Sequence, residues 1–188
     1  MRYTHRFIFY FFFGLSVSGY SQNEISSEEA ITKYKEITRL MEASFPEDEF
    51  KTYRRESFSE KQLQTYLSQH FQRLDLIPYI EANHLFKLHS FLHSGNWYSQ
   101  IGFPKESIKW YKVFFEYYNK NESYLTKAEK DSLIDMKTYS YSILAENYEK
   151  LGYLDSAEAE HKKNIKFAKE LDIISNPSAY NNYGLFYY

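Results

Sequence analysis

The sequence predicts an all-α chain of antiparallel helical hairpins stacked side by side, and three observations carry that prediction. Apolar residues recur at spacings of three and four through most of the chain, the period of a helix with one buried face. The six Gly and four Pro fall where such runs begin or end. A pattern of Tyr98, Ile101, Gly102, Phe103 and Ser107 returns at a constant offset of 50 as Tyr148, Leu151, Gly152, Tyr153 and Ala157. No stretch alternates with period two between hairpin turns, so strands are not expected.

Taken in order, residues 26–43 read as a first helix with Ile31, Tyr34, Ile37 and Met41 on one face. Phe45-Pro46-Glu47-Asp48 interrupts it. Residues 59–74 form a second helix whose stripe is Leu63, Tyr66, Leu67, Phe71 and Leu74. Pro78 suits the first position of a third helix, where its missing N–H costs nothing; the stripe that follows is Ile80, His84, Leu88, Phe91, Gly95 and Tyr98. Gly102-Phe103-Pro104 separates this helix from a fourth that carries Ile108, Tyr111, Phe115 and Tyr118. Thr126 with Glu129, and Asp155 with Glu158, have the spacing of capping boxes, in which each side chain satisfies an orphan N–H. Asn176-Pro177 marks one more start. In the offset pattern, Tyr closes one helix, Gly takes the left-handed position beyond it, and a small residue admits the next helix at close range.

The N-terminus addresses the compartment. Arg2 and Arg6 precede an apolar run over residues 7–17, followed by Ser18-Gly19-Tyr20-Ser21-Gln22, the three-part layout of a secretory signal peptide. Residues 1–21 are therefore expected to be a signal peptide, cleaved between Ser21 and Gln22, and the protein to be exported, periplasmic or secreted, without a stable membrane span afterwards. The run is about half the ~20 apolar residues of a spanning helix. Residues 22–75 then form N-terminal helices and residues 76–188 the hairpins, the last incomplete.

Composition removes several functions. The formal charge of −2 becomes −4 once Arg2 and Arg6 leave with the leader, and Arg54-Arg55 and Lys162-Lys163 are isolated basic pairs beside acidic residues. Nucleic-acid binding requires a concentrated basic footprint and is not expected. With no Cys, disulfides, thiol catalysis and thiolate metal sites are absent together. The 20 Tyr and 16 Phe recur at helical spacing, which favours core packing over a sugar-binding platform.

Residues 141–157 carry a nameable pattern: Leu144-Ala145, Tyr148, Gly152 and Ala157. It resembles the tetratricopeptide repeat (TPR), with a second copy at Ser94-Gly95, Tyr98, Gly102 and Ser107 and a half copy at Tyr183-Gly184 and Tyr187. The resemblance implies a short TPR-like α-solenoid. It departs from the ~34-residue family period, since Ala145 to Gly184 is 39 residues and Gly102 to Gly152 is 50. An extra segment is therefore expected over residues 119–130, and His161 stands where the second helix usually carries Tyr or Phe. Exported sensor regions of bacterial regulators are similar in plan.

In that family the first helices of successive hairpins line a concave groove for a protein or peptide. Carried over, the resemblance implies a groove of His89, Leu92 and Asn96, then Tyr139, Ser142, Glu146 and Glu149, then Asn181. Leu92 stands where carboxylate-clamping members place Lys, and the acidic and amide composition matches a neutral or basic segment.

Other chemistry is thinly supported. Glu81 with His84, and Glu158 with His161, have the Glu-x-x-His spacing of di-iron bundles, but the further inward Glu residues of a ferritin-like site are not identifiable. His89 and His93 have the spacing of a helical zinc pair without the Glu of His-Glu-x-x-His or an evident third ligand. No catalytic residue, metal or cofactor is expected. The expected function is that of a non-catalytic binding scaffold; the alternative is the sensor or regulatory input region of a larger signalling protein. The apolar ending Gly184-Leu185-Phe186-Tyr187-Tyr188 suggests self-association through a C-terminal helix, since a terminal repeat otherwise needs a polar cap.

Overall fold

A computed structural model describes residues 25–43, 58–81, 83–170, 183, 184 and 186. The signal-peptide residues, the break at Phe45-Pro46, the start at Asn176-Pro177 and groove residue Asn181 lie outside the described residues. The described chain is all-helical and holds no strand: α1 (Ser27–Ala43), α2 (Glu60–Leu76), α3 (His84–Gln100), α4 (Pro104–Asn121), α5 (Lys127–Ser132), α6 (Ile134–Lys150) and α7 (Leu154–Glu170). None of these helices is long and apolar enough to cross a membrane.

Local chemistry sets the boundaries. Ser59 and Gln62 close a capping box at the start of α2, and Thr126 and Glu129 do the same for α5. The expected helix start at Pro78 is instead a single 3-10 turn, Ile77–Tyr79, and α3 begins only at His84. Two hydrogen-bonding residues fix this break. The Asn83 side chain accepts from the Phe86 N–H at 3.0 Å, and Ser27 Oγ both donates to the Glu81 carbonyl (3.1 Å) and accepts from the Glu81 N–H (3.0 Å). Asp155 does not cap α7. The turn before it already starts the helix at Leu154, the Tyr153 carbonyl accepts from Ala157 N–H at 3.0 Å, and Glu158 pairs with Lys162.

The offset-50 pattern becomes two turns with the same bonding. Phe103 N–H donates to Tyr98 O (2.8 Å) and Gly102 N–H to Ser99 O (3.2 Å); Tyr153 N–H donates to Tyr148 O (2.9 Å) and Gly152 N–H to Glu149 O (2.9 Å). Both are Schellman motifs, with Gly102 at φ 81° and Gly152 at φ 76°, and with the aromatic pairs Tyr98–Phe103 and Tyr148–Tyr153 in contact across the turn.

These turns send α4 back along α3 and α7 back along α6. Gly95 of α3 meets Tyr111 of α4, and Phe91 and His84 further back along α3 meet Tyr117 further on along α4, so the two helices run in reverse order. Glu149, Ser142 and Tyr141 of α6 meet His161, Asn164 and Phe167 of α7 in the same sense. In the first pair a Cβ on Gly95 would stand 3.0 Å from the Tyr111 ring. The second pair has Ala145 and His161 at the equivalent positions: the added methyl is matched by a smaller ring, and both residues are buried. α6 packs against α4 and, less extensively, α3. The main core gathers Ile80, Leu88, Tyr111, Phe114, Leu133 and Leu144, while Met41, Leu63, Tyr66, Trp97, Tyr98 and Ile101 form a second cluster under α1 and α2.

The α2 stripe requires correction. Leu63, Tyr66, His70 and Arg73 are the buried residues, and Phe71 is 54% exposed. The period is helical as expected, but its phase is set by two polar side chains that bond each other.

Candidate functional site

One cavity lies apart, at the α6–α7 turn around Gly152 and Ser156; three more lie where α1, α2, α3 and α6 face one another. One, of about 330 Å³, is lined by Tyr34, Lys35, Thr38, Arg39 and Glu42 of α1, Arg73 of α2, and Phe86, His89, Ser90 and His93 of α3. A second, of about 260 Å³, shares Thr38, Glu42, Arg73 and His93 and adds Met41, Tyr66, Asn96, Trp97 and Gln100. A third, of about 90 Å³, lies between α3 and α6, walled by His89, Leu92, His93, Asn96, Met136 and Tyr139. His93 lines all three, so they form one continuous face.

The residues taken from the sequence divide between this face and elsewhere. His89, Leu92, Asn96 and Tyr139 meet around the smallest cavity; Tyr139 is 47% exposed there, and Asn96 accepts from the Tyr111 hydroxyl. Ser142 and Glu149 turn toward α7. Ser142 Oγ accepts from Asn164 Nδ2 at 3.0 Å, and Glu149 Oε1 accepts from His161 Nε2 at 3.0 Å. Glu146 is exposed and pairs with Lys150 at 2.8 Å.

The histidines of the Glu-x-x-His spacings are engaged separately. His84 Nδ1 is 2.9 Å from the Tyr117 hydroxyl and its ring stacks on Tyr124, while His161 bonds Glu149 rather than Glu158. No group of three metal-ligating side chains occurs among the described residues.

Sequence reasoning missed the polar centre of this face. Arg73 is 5% exposed; its Nη1 donates to Thr38 Oγ1 (3.2 Å), its Nη2 donates to His70 Nδ1 (2.9 Å), and its guanidinium lies 5.1 Å from the Tyr34 ring centroid. An arginine only donates, so His70 Nδ1 is the acceptor and Nε2 carries the proton. Burial, with Arg73 beside it, holds the His70 pKa down to about 3. Burial also lowers His89 and His93, the latter with help from Arg73 and His89 against Glu42. The only sequence signal was spacing: Leu63, Tyr66, His70 and Arg73 share one helical face.

A second polar centre lies at the junction of α3, α4 and α6. Asn147 Nδ2 donates to Ser107 Oγ (2.9 Å), Ser107 Oγ donates to the Gly95 carbonyl (2.7 Å), and Ser99 Oγ donates to Asn147 Oδ1 (3.1 Å). Asn147 and Ser107 are fully buried.

Comparison of this chain with protein-family models, with curated proteins and with solved structures returns no match.

Proposed function

We propose that the protein is an exported, non-catalytic scaffold of TPR-like hairpins that binds a protein or peptide segment along the face of α1, α3 and α6. The observation that carries this reading is the pair of identically bonded turns 50 residues apart. In this reading they make α3 and α6 equivalent first helices, and residues from both line one cavity with Tyr139 exposed at its edge. Half-exposed aromatics beside amide and imidazole groups suit a peptide, because they offer contact area at low entropic cost. Ser142 and Glu149 hold α6 to α7 in this scheme, leaving His89, Asn96 and Tyr139, with Glu146 at the rim, for the partner.

The test is a displayed-peptide selection on the protein, followed by binding measurements on Tyr139→Ala and on Tyr153→Ala, whose ring is exposed at the α6–α7 turn. Tyr139→Ala is expected to weaken a selected peptide at least tenfold and Tyr153→Ala to leave it unchanged. Equal effects, or no enriched peptide, would refute the reading. Export has its own check: the intact mass of secreted protein should correspond to a chain starting at Gln22, and a membrane-bound product retaining Met1 would contradict it.

A further inference from the structure

We propose that the α1–α2–α3 cavity is a receptor for a monoanionic carboxylate, with Arg73 as its cation. Arg73 forms a shared wall of the two larger cavities and is almost wholly buried. Buried charges are normally paired, yet none of the ion pairs among the described residues involves Arg73. Its two bonds go to neutral acceptors, a threonine hydroxyl and an imidazole nitrogen, and its Nε–H has no partner.

Further unpartnered polar atoms lie at or behind this wall, most of them donors, with Gln69 Oε1 of α2 an unpartnered acceptor. Trp97 Nε1 and His70 Nε2 are buried donors without acceptors, and the Tyr34 hydroxyl is also unpaired. These side chains are neighbours: the His70 ring centroid is 4.2 Å from that of Trp97, and Arg73 lies over Tyr34. Unsatisfied buried groups are rare and call for an explanation. Unpartnered donors around a buried cation are completed by an acceptor that also carries negative charge.

The surroundings select the class. Lys35 and Arg39 stand with Arg73 on the larger cavity, against Glu42 alone, so the local field favours an anion. Glu42 borders both larger cavities and opposes a dianion. Tyr34 and Phe86, packed edge to face at 5.2 Å, give an apolar wall for a hydrophobic tail. About 330 Å³ accommodates a small aryl or alkyl acid, or one acidic side chain of a bound segment with its neighbours. A guanidinium recognises a carboxylate by its planar fork of donors, which a lysine in the same place does not reproduce.

The probes are 3-phenylpropionate, its neutral amide, and a short acetylated peptide carrying Glu or Gln at one position. Binding is read by calorimetry and by the Arg73 side-chain Nε–H resonance. The carboxylate form of at least one pair is expected to bind at least tenfold more tightly than its neutral counterpart and to shift that resonance. Discrimination with the free acid identifies a small-molecule ligand; discrimination confined to the peptide pair identifies an acidic segment of a partner. Arg73→Met should abolish the discrimination and Arg73→Lys should reduce it. If Arg73→Met does not fold, the wild-type resonance decides. Equal binding of charged and neutral forms, no binding of either, or binding without a shift of the Arg73 signal would overturn the proposal. A peptide that binds across Tyr139 without charge preference would leave the scaffold reading intact and reject this one.

Discussion

Among the described residues two junctions join one helix pair to the next, and they are built differently. Where α6 meets α3 and α4, backbones come close and the buried polar groups satisfy one another: Asn147 donates to Ser107, Ser107 donates to Gly95, and Asn147 accepts from Ser99. Lys137 adds a clasp, lying 4.0 Å from the Tyr118 ring centroid and 4.5 Å from that of Phe167. Where α1 and α2 meet α3, contact runs through large rings, Tyr66 on Trp97 and Tyr34 on Phe86, and it leaves cavities, a buried arginine without a carboxylate and several unpaired donors. A closed polar network fixes one arrangement, whereas an open one is costly until something completes it. The first junction joins its helix pairs tightly, and the second is where, on the proposed function, a ligand has most to contribute.

The sharpest way to break this comparison is to make like changes at both junctions. Asn147→Ala leaves Ser99 and Ser107 without their shared partner and creates a void, and is expected to cost about 2–4 kcal/mol of unfolding free energy. Arg73→Met removes a buried charge that has no counter-ion but leaves His70 Nδ1 without its donor; the two effects oppose each other, and the net loss should be less than about 1 kcal/mol. Chemical denaturation of the two variants checks the contrast, and equal losses would show that the junctions do not differ.

Acid should act on the second junction. The His70 pKa in the folded state, about 3, lies below its unfolded value of 6.5, so only the unfolded chain takes up the proton in between. Its stabilising contribution is therefore complete above pH 6.5 and is lost as pH falls toward 3. His89 and His93 are lowered in the same direction. Each such proton gives a slope of up to ~1.4 kcal/mol per pH unit. Melting curves between pH 7 and 5 should show the decline, with His70→Phe flattening it and Asn147→Ala leaving its slope unchanged.

Smaller effects sharpen the equivalence of the two helix pairs. Gly95→Ala pushes a methyl against the Tyr111 ring and should cost about 1–2 kcal/mol. Adding Tyr111→His, which reproduces the Ala145–His161 pair, should recover part of that loss. Gly102→Ala and Gly152→Ala each place a Cβ at positive φ, and each should cost about 1 kcal/mol. A clear difference between those two would show that the turns are not equivalent.

The features legible in the sequence were those governed by neighbours along the chain. Gly102 and Gly152 were readable because a left-handed residue after a helix has one common occupant, and Thr126 with Glu129 because a capping box is a fixed spacing. Pro78 misled, since proline permits a helix start without compelling one, and Ser27, 54 residues from Glu81, holds the chain extended there. His70 and Arg73 were hidden because a stripe of apolar residues cannot include a polar pair, and the Thr38 partner lies 35 residues away. Of the groove residues, His89, Leu92, Asn96 and Tyr139 line one cavity between α3 and α6. Ser142 and Glu149 went to α7 because Asn164 and His161, which the repeat pattern does not specify, draw them there.

Hydrogen exchange with and without a selected peptide tests the central claim most directly. Protection should rise in α1 around Tyr34 to Glu42 and in α3 around Phe86 to Asn96, extend to α6 near Tyr139, and leave α7 unchanged. Protection concentrated on α4 and α7, with α1 and α3 unaffected, would contradict it.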